Sequence, residues 1–171
     1  MSKITVKELE APTGFDLKIA AGETLDLKSQ GSVIMPAGAV LQTVYANYNT
    51  STSVTSTSAT SLGLTASITP ISTSSKIIVN VGLVTRCNGD TACDVWLYRN
   101  GSSVFKPFND LGDNGSSAHE HLGAIYFNYI DSPSSTSAVT YLLYGRSNNG
   151  TQIMWHANSN YSTITLTEVA G

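Results

Sequence analysis

Charge is scarce in this sequence. Only 12% of its 171 residues are Asp, Glu, Lys or Arg, and the formal net charge is −3. Binding nucleic acid through its phosphates requires a basic stripe, and none is present, so nucleic acid is not an expected partner. Long apolar runs are missing too. No stretch reaches the roughly 18–20 apolar residues of a membrane-spanning helix. The opening MSKITVKELEAPTG lacks the apolar run of a secretory signal. Neither membrane insertion nor export is therefore expected. Cysteine is limited to Cys87 and Cys93, with no Cys-x-x-Cys pair, which argues against a structural zinc site. The motif vocabulary of enzymes is absent as well: no Gly-x-Ser-x-Gly, no P-loop, no dinucleotide-binding glycine pattern and no His-Glu-x-x-His. A non-enzymatic role is the expectation.

In place of charge the chain uses Ser, Thr, Asn and Gly, which solvate a surface and suit extended backbone better than helix. Apolar residues alternate with period two, and none recur at three-and-four spacing for three turns. The fold class expected is all-β. In KIIVNVGLVTRC, Ile77, Val79, Val81 and Leu83 alternate against Ile78, Asn80, Gly82 and Val84, which predicts a central strand. SLGLTASITP places Leu62, Leu64, Ala66 and Ile68 on one face. AVLQTVYANY offers Val40, Val44 and Ala46 on one face and Leu41, Thr43 and Tyr45 on the other. Ser and Thr fill ten of the twelve positions from Thr50 to Ser61, which reads as an edge strand with its loop. Four Asn-Gly dipeptides, beginning at Asn88, Asn100, Asn114 and Asn149, are predicted strand reversals, because Asn-Gly supplies the two positive-φ residues of a type I′ turn. About nine or ten short strands after Ala39 predict an antiparallel β-sandwich of jelly-roll type.

Residues 1–38 differ from the remainder. Glycines fall at 14, 22, 31 and 38, and Asp-Leu-Lys occurs twice, at 16–18 and 26–28. The short segments between them carry Phe15, Leu17, Ile19, Leu25, Leu27, Val33 and Ile34, too few apolar side chains in one chain to offset an ordering cost of about 1–2 kcal/mol per residue. Copies wrapped around a shared axis would bury them. Two parts are therefore expected: a trimerisation or attachment arm (1–38) and a sandwich head (39–171). The alternative is an ordinary N-terminal hairpin laid against its own sandwich.

Several phrases carry a resemblance: MPAGAVLQTVYA, SITPISTSSKIIV, YIDSPSSTSAVTY and the closing STITLTEVAG. The sequence resembles small structural proteins and fibre domains of tailed bacteriophages, over nearly all of residues 31–171. That resemblance implies a β-sandwich head, a homotrimer, and a place on the virion as a fibre tip, short fibre, knob or capsid-decorating protein, assembled in the host cytoplasm. It departs from a full tail fibre in having about 38 residues before its head, with no long shaft.

Four groups of residues are candidates for chemistry. His119 and His121 share one face of a strand, so both imidazoles can reach one metal ion, and three chains would offer six nitrogens on a threefold axis; trimeric phage fibres contain such His-x-His sites. The alternative is two ordinary surface histidines and no cofactor. A hairpin at Asn88-Gly89 would set Cys87 opposite Cys93 at disulfide distance; the alternative is two small reduced core residues. The segment KPFNDLGDNGSSAHEH (106–121), with Asn109, Asp110, Asp113 and Asn114, is expected to be a loop near the outward end of the head, together with Trp155. These residues would meet a host-surface glycan. Trp96, in DVWLY, is a second candidate aromatic platform for a sugar, and the alternative that is favoured places it in the core or at an interface. The expected partners are further copies of the chain, phage tail or capsid proteins, and a host-surface glycan. The rival functions are capsid decoration and a carbohydrate-binding module.

Overall fold

The computed structural model describes residues 35–88, 91–113 and 120–171, together with Ala21. The chain divides into Met1–Ile34 and Met35–Gly171. Phe15, Leu17, Ile19, Leu25, Leu27, Val33 and Ile34 lie outside the described residues. In the second unit the Gly38 N–H donates to the Ala170 carbonyl at 2.8 Å, and the Ala170 N–H to that of Ala39 at 2.9 Å.

The described residues form ten strands and one short 3-10 turn. The strands are β1 (Val40–Tyr48), β2 (Thr52–Val54), β3 (Thr60–Ile68), β4 (Lys76–Asn88), β5 (Thr91–Arg99), β6 (Ser102–Asp113), β7 (Glu120–Asp131), β8 (Val139–Ser147), β9 (Ile153–Trp155) and β10 (Ser162–Val169); the turn is Ala157–Ser159. Eight of the strands pair as nested antiparallel partners: β1 with β10, β3 with β8, β4 with β7, and β5 with β6. Lateral pairs β10–β4 and β8–β5 roll this long hairpin into two sheets. One sheet has six strands, counting the short β2 and β9, and the other has the order β3-β8-β5-β6. This is the jelly-roll order, so the expected fold is observed.

Period-two alternation builds the core between the sheets. Ile77, Val79, Val81, Leu83, Ile164 and Leu166 from the six-stranded sheet meet Leu62, Leu64, Val95, Leu97, Tyr141 and Leu143 from the other, all buried. Each such aliphatic side chain contributes about 1.5–3 kcal/mol relative to exposure. Along the β6/β7 side the gap is closed by aromatics, with Phe105 stacked on Tyr129 at 5.0 Å and Phe108 edge-on to Phe127 at 6.2 Å. Among the described residues, the buried carboxylates accept hydrogen bonds. Both oxygens of Asp131 lie 2.9 Å from Arg99 Nη1, and the Tyr141 hydroxyl donates to Oδ2 at 2.7 Å. Glu168 accepts from the Gln42 side-chain amide and from the Ile71 N–H at 2.7 Å.

Three local expectations are corrected. In β1 a bulge between Val40 and Gln42 inverts the alternation, so Val40 is exposed while Val44 and Ala46 still pack toward the core. Of the Asn-Gly pairs, Asn100-Gly101 is a two-residue turn with φ 48° and 85°, and it sets Arg99 opposite Ser102. β4 and β5, on either side of Asn88-Gly89, belong to different sheets and so do not form the expected hairpin, and Gly89 itself lies outside the described residues. Asn149-Gly150 connects β8 and β9, which also pair with other strands, and only its glycine has positive φ. Asn-Gly permits a tight turn, but burial of both flanking faces decides which strand each one joins. The Asn114-Gly115 pair lies outside the described residues. Finally, the segment read as a loop from Lys106 is strand up to Asp113, since β6 stays paired with β5 through to Thr91↔Asp113 by way of three register shifts.

Candidate functional site

The two outer faces of the sandwich have opposite characters. On the four-stranded sheet, Cys93, Val95 and Leu97 point inward, so Asp94, Trp96 and Tyr98 look outward. β8 places Arg146 opposite Asp94, Tyr144 opposite Trp96 and Leu142 opposite Tyr98. Asp94 is fully buried although it stands on an outer face, because cations cover it. Lys106 Nζ lies 2.9 Å and Arg146 Nε 2.8 Å from Oδ2, and the Asp110 N–H donates to Oδ1 at 2.9 Å. Asp110 reaches that position with φ 55°. Burial alone would raise the Asp94 pKa; the Lys106 and Asp110 hydrogen bonds and the two cations outweigh it and hold the carboxyl below its usual 3.8.

The same two cations flank Trp96, with Lys106 Nζ 4.8 Å and the Arg146 guanidinium carbon 5.6 Å from a ring centroid. Beside it, Tyr98 stacks on Tyr144 at 4.0 Å. Asn109 bonds Lys106 and Asp110, and Asn148 donates to Asp110. The result is a half-exposed aromatic strip edged by amides and fixed charges. It offers hydrogen bonds and ring faces to a polar ligand. Asp94 has its oxygens committed to donors, so it is not poised as a general base.

Asn109 and Asp110 are thus brought together, on this face rather than at a loop tip. Asn114 and His119 lie outside the described residues, as do the side chains of Asp113 and His121. Of the two tryptophans, Trp155 departs from expectation. Trp96 is half-buried on the outer face, whereas Trp155 has no exposure and sits in the core against Gly145. A Cβ on Gly145 would stand 2.8 Å from Trp155 Cζ2. Enclosed in this way, Trp155 cannot contact a receptor. Sequence reasoning missed Asp94. Its only signal was a carboxylate at an outward strand position, and its partners lie on strands 12 and 52 residues away in sequence.

Cys87 and Cys93 also depart from the expected hairpin. They come from different sheets, and both are buried and free. Their thiols hydrogen-bond to each other. That bond lowers the Cys87 pKa to about 7 against the effect of burial, and pushes Cys93 up. Cys87 lines a mostly apolar pocket of about 520 Å³ with Leu111, Leu122 and Ile125.

The outer face of the six-stranded sheet is almost uncharged. Its cross-strand rows read Thr43, Thr167, Ile78 and Ile130; then Tyr45, Thr165, Asn80 and Asn128; then Asn47, Thr163, Gly82 and Tyr126. The Tyr126 ring lies over Gly82, where a Cβ would come 3.0 Å from it. A shallow cleft of about 330 Å³ runs between Asn80, Asn128 and Thr165.

No family model matches the chain, and no curated protein matches it. Among solved structures, the infectious bursal disease virus VP2 subviral particle is similar at 14% identity and a TM-score of 0.46, over 87% of this chain and 37% of that one. The structure of the Gx strain of the same virus is similar at 14% identity and a TM-score of 0.45, over 77% and 33%. A VP2 mutant from T=1 particles follows at 13% and 0.43, over 86% and 40%. The chain thus spans well under half the length of each of these chains.

Proposed function

We propose that the chain is a non-enzymatic structural protein of a phage virion, a homotrimeric fibre- or knob-type appendage. Residues 1–38 attach it to the particle, and the head is presented to the host surface. The observation that carries this reading is the nested strand order. Jelly rolls serve viral shells and lectin-like binding domains. Two further features support it. The buried ionisable groups Asp94, Asp131, Glu168 and His156 each hold the fold together through partners of their own. The strip of Trp96, Tyr98 and Tyr144 with Asn109 and Asn148 has the mixture of ring faces and amides that suits a saccharide. Three copies held together turn weak individual contacts into avid attachment.

The test is adsorption of phage carrying Tyr98→Ala and Tyr144→Ala in the full-length chain. Assembled particles with adsorption reduced about tenfold or more are expected, as is a signal on a glycan array that the double variant loses. Unchanged adsorption together with particles less stable to heat would favour a shell-decorating role instead.

A further inference from the structure

We propose that copies of this chain associate through the outer face of the six-stranded sheet, centred on Tyr126 and Ile130. The inference rests on the homotrimeric reading above and names the surface that would make the trimer.

Among the described residues, eight large apolar side chains are exposed, and five of them stand on this one face: Val40 and Tyr45 on β1, and Leu122, Tyr126 and Ile130 on β7. Tyr126 is 75% exposed, Ile130 60% and Leu122 53%. Between Lys76 and Arg86 at its two ends, no outward position of β1, β10, β4 or β7 carries charge. An almost uncharged face with two exposed apolar stripes, one on β1 and one on β7, has the charge depletion and apolar groups of an interaction surface.

Edge chemistry points the same way. A strand at a sheet edge invites pairing with another chain unless Pro, Lys, bulges or twist block it. β6, an edge of the other sheet, has several of these: Lys106, Pro107, three register shifts and Asp110 at positive φ. β7 is twelve residues long, pairs only with β4 among the described residues, and contains no Pro, Lys or Arg. Of these two edge strands, β6 is guarded and β7 is left open.

Connectivity makes a second copy the occupant. Residues 1–34 lead through Met35 into β1, an edge of this same sheet, and Met35, Val40 and Tyr45 are all exposed. Residues 35–39 are all that separate the arm from β1, so chains joined by their arms hold the β1 edges of their heads within a few residues' reach of one another. A closed ring of identical chains also needs two different patches on each. The β1 stripe and the β7 stripe supply them.

Light scattering on the full-length chain across a dilution series tests the proposal, comparing wild type with Tyr126→Lys/Ile130→Lys. Circular dichroism and a melting curve check that the variant is folded. Asn128→Arg, at another exposed position of the face, repeats the test if the double variant is not folded. The expected result is a wild-type mass three times 18.1 kDa, with association weakened at least 30-fold in a folded variant. A wild-type trimer whose variants dissociate no more readily would overturn the interface and leave the homotrimer standing. A wild type that is monomeric at every concentration would overturn both, including the case in which it binds saccharide through Tyr126.

Discussion

The Nε2 of His156 lies 2.8 Å from the carbonyl oxygen of Leu62, joining the segment after β9 to a strand of the opposite sheet. Its Nδ1 is 2.7 Å from Ser162 Oγ, which accepts the Val84 N–H at 2.9 Å. With Nε2–H donating to Leu62 and the Ser162 hydroxyl donating to Nδ1, the neutral ring is satisfied at both nitrogens. Burial pushes its pKa below 6.5, outweighing the Leu62 bond that pulls it up. An unfolded histidine takes up its proton near pH 6.5 while the folded one resists, so stability is lost as pH falls below that value. Urea unfolding should show a midpoint that declines between about pH 7 and 5.5. His156→Gln should flatten that decline and cost about 1–3 kcal/mol at pH 7.5. Equal pH slopes in the two proteins would contradict the assignment.

Asp94 carries a pH dependence of the same sign in a more acidic range. A carboxyl held below 3.8 contributes stability that is present above that value and is lost as pH falls through its lower folded pKa. Asp94→Asn should cost about 1.5–3 kcal/mol at pH 7, because its cationic partners are about a third exposed and can hydrate when released. In the Asp94→Asn background, Arg146→Ala should cost less than it does alone. A double-mutant cycle in urea measures this, and strict additivity would show that the pair does not interact.

Trp155 should matter for folding and not for binding directly. Trp155→Ala should cost about 3–5 kcal/mol and lower the melting temperature by on the order of 10 °C. Gly145→Ala, which adds a Cβ 2.8 Å from the Trp155 ring, should cost about 1–3 kcal/mol by overpacking. Calorimetry on both variants checks the pair; a stable Gly145→Ala protein would mean that the ring has room to move.

For the cysteines, thiol titration in denaturant should give two free thiols per chain, and brief alkylation of the native protein should modify Cys87 ahead of Cys93. The thiolate is the reactive form, and only Cys87 is held near pH 7. Mass spectrometry reads both quantities. An intact Cys87–Cys93 bridge in freshly purified protein would contradict the arrangement.

Much of the fold was legible because alternation is local. Leu62, Leu64, Ala66 and Ile68 are buried as their spacing implies, and so are Ile77, Val79, Val81 and Leu83. The Asn100-Gly101 turn was legible for the same reason. What failed depends on distant neighbours. Trp155 belongs to a three-residue strand whose niche is made by Gly145 and Leu62, and nothing near it in sequence records that. Asp94 is covered only because β6 and β8 lie on either side of β5. Val40 was assigned to the wrong face because a bulge adds one residue that composition does not announce.

A cryo-EM map of the intact virus particle proposed to carry this chain tests the account most directly. The predicted result is jelly-roll heads in groups of three, attached through residues 1–38, with the Tyr126 faces meeting one another and the Trp96 faces turned outward. Particles that lack the chain, or that carry it only as isolated single copies, would contradict it.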